Sequence, residues 1–163
     1  MKRWMALVFI VTALSAVWAG QTYYYPNAES PLFSVTLPES WTVETEDPLL
    51  HASPSDASIY LGLWAVEIAD MDAVGEAVGE IVGELVSDFE IEEEDELEVN
   101  GMPMYYFDGT GFDEDGDEIA CSVGLFTPDG ETFCVILYFG TEAAEMEHGE
   151  ALNQIIHSLE PPE

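Results

Sequence analysis

Ser58-Ile59-Tyr60-Leu61-Gly62-Leu63-Trp64-Ala65-Val66-Glu67 is the stretch that decides the fold. In an extended chain successive side chains point to opposite faces. Here Ile59, Leu61, Leu63 and Ala65 share one face, and Tyr60, Trp64 and Val66 share the other. A strand that is apolar on both faces requires a covering layer on each. Phe133-Cys134-Val135-Ile136-Leu137-Tyr138-Phe139 repeats the signature without a polar interruption. Two such strands put a sheet in the middle of the domain.

Working outward, the spacing predicts two helices to cover it. The first runs from Asp70 or Asp72 to Phe89, with an aspartate suited to capping. Val74, Val78, Val82 and Val86 form a stripe, with Ala77, Ile81 and Leu85 beside it as the buried face. Gly75, Gly79 and Gly83 recur every four residues, which predicts close backbone approach at about 1 kcal/mol each in lost helix propensity. The second helix starts at Thr141, carries Leu152, Ile155, Ile156 and Leu159 as its core stripe, and stops before Pro161 and Pro162. Strands are expected over 32–37, 41–46, 90–99, 104–107, 119–126 and 132–139, with 51–56 as a loop. Asn100-Gly101 and Pro128-Asp129-Gly130 are hairpin signals. The expected class is α+β: a mainly antiparallel sheet covered by helices on both faces, an α/β/α sandwich formed as a single domain over residues 32–160.

The start of the chain has a separate meaning. Lys2 and Arg3 precede an apolar run from Trp4 to Leu14, and Val17-Trp18-Ala19 closes it with a small residue. This is the pattern of a secretory signal peptide over residues 1–19, cleaved after Ala19. Residues 20–31, with Tyr23 to Tyr25, read as a polar N-terminal arm. The expected product is soluble and secreted or periplasmic.

Charge narrows function further. The chain holds 34 Asp and Glu against 2 Lys and Arg, for a formal net charge of −32. Both cations lie in the leader. The remaining domain therefore has no phosphate clamp, no Schiff-base lysine, no groove for nucleic acid and no affinity for an anionic membrane surface. Hydrophobic residues make up 48% of the chain, enough to form a core despite the charge. Carboxylates at this density repel one another, so the compact state needs screening by dissolved ions. High external salt is the simplest habitat for such a surface, and a strongly acidic medium is the rival.

The landmarks Phe33-Ser34-Val35-Thr36-Leu37-Pro38 with Trp41, the middle helix, Val99-Asn100-Gly101, the long hairpin and a closing helix near Ser158-Leu159 resemble the PsbP-like superfamily, in particular its small exported bacterial members. The resemblance covers about residues 32–159. It implies an antiparallel sheet with helices on both sides and an accessory, partner-binding character without a shared catalytic set. Position 40 is serine where that turn often has glycine. Docking of the plant members through basic residues does not carry over to a chain that has none.

Candidate chemistry is sparse. Asp113, Asp115 and Asp117 have the spacing that opens a calcium loop, but Glu118 and Gly124 stand where glycine and glutamate are required. A solvated hairpin turn is the plainer reading, with weak binding of divalent cations as the alternative. Glu145 and His148 have di-iron-type spacing, but a single pair does not make such a site. His51 reads as a loop residue, and His148 and His157 fall on opposite sides of one helix. With Asp129-Gly130 as a two-residue turn, Cys121 and Cys134 share a face at about 13 Å, beyond disulfide reach, so both are expected as buried free thiols. No catalytic, cofactor or metal residue is assigned. The expected function is an exported acidic accessory or interaction domain, non-enzymatic, with a protein or cell-envelope partner. A calcium-binding protein of the cell exterior is the alternative.

Overall fold

The computed structural model describes residues 18–68 and 70–162. The expected signal peptide therefore lies almost wholly outside the described residues. Strand β1 (Gly20–Tyr25) opens at the first residue after the expected cleavage point. It pairs antiparallel with β2 (Phe33–Pro38) in a sheet of its own. The first half of the polar arm expected over 20–31 is thus a strand, with Tyr25 turned into the core and Tyr24 turned out.

The main sheet has seven antiparallel strands in the order β3-β4-β5-β9-β8-β7-β6. β3 (Thr42–Glu46), β4 (Leu49–Ser53) and β5 (Ile59–Val66) form a meander at one end. His51 therefore sits in a strand and not in the expected loop. From β5 the chain crosses through α1 (Met71–Leu85) to the opposite edge, where β6 (Ser87–Val99) begins. It then returns through β7 (Met102–Phe112), β8 (Glu118–Phe126) and β9 (Phe133–Gly140), which closes the sheet against β5. Helix α2 (Glu142–His157) follows.

Alternation sorts the core into two clusters. Ile59, Leu61 and Leu63 of β5 and Cys134 and Ile136 of β9 join Leu152, Ile155 and Leu159 and the β2 residues Phe33, Val35 and Leu37. Val135 and Leu137 of β9 and Ile119, Cys121, Val123 and Leu125 of β8 join Val74, Val78 and Val82 of α1. Asn100 and Gly101, at φ +48° and +83°, make the two-residue turn between β6 and β7. The Asn100 side chain donates to the carbonyls of His157 (3.0 Å) and Leu159 (2.8 Å), satisfying the end of α2.

Three further readings change. The β8–β9 loop spans 127–132, so Cys121 pairs with Phe139 and Cys134 with Phe126, one residue out of the expected register. A one-residue slip moves every side chain to the other face. The thiols are free and buried as expected, but they lie in different core clusters. Helix α1 ends at Leu85, because Val86 is already extended (φ −130°, ψ 112°), and Leu85 itself is exposed. Around Gly75, Gly79 and Gly83 there is open space where a Cβ would sit, so these glycines do not serve close approach.

Candidate functional site

The acidic end of the molecule is built by β6. Eight of its thirteen residues are Asp or Glu, and as the last strand of the sheet it leaves one backbone edge unpaired among the described residues. Its register shifts between Ile91 and Glu93, so Glu92 is a bulge residue. Bulges re-aim side chains, and Glu92 accepts a hydrogen bond from Thr110 Oγ1 at 3.2 Å. Ile91, an apolar residue of this strand, is exposed.

Glu92 faces a cleft of about 340 Å³ shared with Asp108, Glu118, Glu142 and Glu145. Glu142 and Glu145 lie in the first turn of α2, where negative charge meets the positive end of the helix dipole. Ser122 donates its hydroxyl to Asp108. Tyr138 donates to Glu145 Oε1 at 3.3 Å. Burial pushes the Tyr138 phenol up to about 12, with the Glu145 and Asp108 carboxylates adding to the rise. The neutral donors of this cleft are thus engaged by carboxylates, and its field attracts cations while repelling anions.

The residues singled out from sequence are scattered. Asp113 Oδ1 accepts from the amides of Asp115 (3.0 Å) and Asp117 (2.9 Å) in the turn between β7 and β8. That carboxylate organises the hairpin. Glu145 lines the acidic cleft, whereas His148 turns the other way, with its ring edge-on to Trp41 at 6.0 Å. His51 contacts Glu44 at 3.1 Å and stacks with Tyr60. His157 Nδ1 lies 2.8 Å from the Asn153 carbonyl. Of the three tyrosines expected on an exposed arm, only Tyr24 is exposed. Tyr25 donates to the Pro48 carbonyl (2.6 Å) and accepts from the Ala65 amide (3.0 Å), and burial raises its pKa.

A juxtaposition missed from sequence is Asp56, Glu147 and His148, whose ligand-type atoms all lie within 4.8 Å of one another. Asp56 stands on the turn between β4 and β5 and the other two on α2, so only the tertiary fold brings them together. An apolar groove of about 490 Å³ also runs beside α1, floored by Gly79, Gly83, Phe89 and Phe107.

No protein-family model matches the sequence, and no curated protein is significantly similar to it. Solved structures do match over nearly the whole chain. The solution structure of cyanobacterial PsbP (CyanoP) from Synechocystis sp. PCC 6803 superposes with TM-score 0.64 at 12% identity, covering 91% of this chain and 95% of that one. The chain has the PsbP-like fold. LpqN, involved in cell envelope biogenesis of Mycobacterium tuberculosis, shares it at TM-score 0.58 and 15% identity, over 88% of this chain and 91% of that one. PA94 from Pseudomonas aeruginosa, a protein of unknown function described as a putative regulator, does so at TM-score 0.56 and 12% identity, over 89% and 99%. At these identities the PsbP-like likeness speaks for fold alone.

Proposed function

We propose that the chain is an exported accessory domain without catalytic activity that docks on a positively charged surface of a cell-envelope partner. We further read its fold as an α/β/α sandwich, since α1 and α2 join core clusters built from alternate residues of β9. The observation that carries the functional reading is the concentration of carboxylates at one end of the sheet. β6 and the adjoining cleft present Glu92, Asp108, Glu118, Glu142 and Glu145 around a concavity whose hydroxyl donors are already engaged. The carboxylates of such a surface oppose a developing oxyanion and complement a cationic partner. Export is supported by the leader pattern and by the fold shared with an envelope-biogenesis protein.

The test is site-specific photo-cross-linking in the living cell. A photoreactive residue at Glu94 on β6 or at Glu118 beside the cleft should give one adduct of discrete mass, and added salt should weaken it. The same probe at Glu80 on α1 should give none. Equal labelling at both places, or no discrete adduct anywhere, overturns the assignment of this surface.

A further inference from the structure

We propose a divalent transition-metal site of the zinc class formed by Asp56, Glu147 and His148, independent of the docking surface above. His148 Nε2 is shut off from solvent and has no hydrogen-bond partner among the described residues. A buried imidazole nitrogen without a partner is costly, and here it points at a carboxylate. Asp56 Oδ2 lies 3.6 Å away, too far for a hydrogen bond. It is close to the separation of about 3.3–3.5 Å that two ligands adopt around a tetrahedral ion with bonds of about 2.0–2.1 Å.

The surroundings hold these groups in place. Asp56 Oδ1 is occupied by the Ser58 amide (3.1 Å) and hydroxyl (2.7 Å), so Oδ2 is the oxygen left free. Hydrogen bonds of this kind orient the carboxylates of metal sites. Trp41 braces the His148 ring edge-on. Glu147 is exposed and free to swing, and its carboxylate is already within 4.8 Å of the other two ligand atoms. Two carboxylate oxygens and one imidazole nitrogen form a set that favours zinc and its neighbours over calcium or magnesium, which take oxygen alone. Water would complete the coordination.

The test begins with the purified protein in sodium chloride, stripped of metal by a chelator and titrated with Zn²⁺ and then Co²⁺. One equivalent should bind with a dissociation constant in the micromolar range or below, and Co²⁺ should develop visible absorption and quench Trp41 emission. His148→Asn and Asp56→Asn should each weaken Zn²⁺ at least tenfold and abolish the Co²⁺ signals. Glu147→Gln, an exposed change, should weaken binding without altering the urea midpoint in chelator. That midpoint also checks that the other two variants fold. The triple variant Asp113→Asn, Asp115→Asn, Asp117→Asn should bind as the parent does, and millimolar Ca²⁺ should not compete. Unchanged Zn²⁺ affinity in His148→Asn, or weak uptake over many carboxylates without a one-to-one endpoint, overturns the proposal.

Discussion

Replacing the three helix glycines by alanine should strengthen this protein. Gly75, Gly79 and Gly83 lie in α1, and among the described residues nothing beyond the adjoining helix backbone comes within 4 Å of the place a Cβ would take. No contact therefore opposes the substitution, and the helical backbone suits alanine. Glycine in a helix interior costs about 1 kcal/mol relative to alanine, largely because the unfolded glycine chain has more freedom to lose. Gly79 is central and should give the full value, while Gly75 and Gly83 are nearer the ends and should give somewhat less. The triple variant should gain about 2–3 kcal/mol. For a domain of this size about 3 °C of Tm accompanies each kcal/mol, so Tm should rise by roughly 6–9 °C. Urea unfolding at fixed sodium chloride is the assay, because guanidinium would also screen the carboxylates. A loss of stability in Gly79→Ala would refute the reasoning, since it would mean that something packs against that stripe.

Ile155→Ala should cost about 2–5 kcal/mol as a cavity opens in the core, because Ile155 is fully buried. Met146→Ala, on the same helix but 80% exposed, should change the urea midpoint little. Burial, helped by nearby Asp108 and Asp129 respectively, pushes the Cys121 and Cys134 thiols up to about 12. Both should therefore resist a thiol reagent at pH 8 until urea unfolds the chain. Above their unfolded pKa of about 9 the unfolded state has lost these protons while the folded state keeps them, so stability should fall from about pH 9 to pH 12; a flat Tm over that window would contradict the burial. Thermal stability should rise smoothly with sodium chloride, and calcium chloride at matched ionic strength should add little. A saturating rise with sub-millimolar calcium, lost in Asp113→Asn, would instead favour a calcium site in the β7–β8 turn.

The sheet was legible because β5 and β9 carry apolar residues on both faces, a pattern that depends on period alone. The Asn100-Gly101 turn was legible because two successive positive φ angles select that dipeptide. The β8–β9 register was not. Asp129 accepts from the amides of Glu131 (2.9 Å) and Thr132 (2.6 Å), which lengthens the loop beyond the two residues suggested by Asp-Gly and turns the two thiols to different faces. β1 was missed because its apolar content is tyrosine, although Tyr23 and Tyr25 face inward between outward Thr22 and Tyr24. The glycine repeat was visible but its purpose was misread, since periodicity cannot tell a packed stripe from an open one. Asp56 and His148 meet only because the turn between β4 and β5 lies beside the middle of α2. Among 34 acidic residues, no spacing singles Asp56 out.

Strand β6 also bears on how copies of this protein behave toward one another. A thirteen-residue edge with open amides and carbonyls is a template on which a second β6 could pair. Its row of carboxylates makes that pairing repulsive, so the strand guards itself. The guard works through unscreened charge. In molar salt the screening length shrinks to about 3 Å, and repulsion between approaching edges then acts only near contact. The ions that relieve crowding within one molecule thereby weaken the barrier between two. In concentrated brine, resistance to edge-to-edge fibre growth rests on the Glu92 bulge and on the cost of stripping water from the carboxylates.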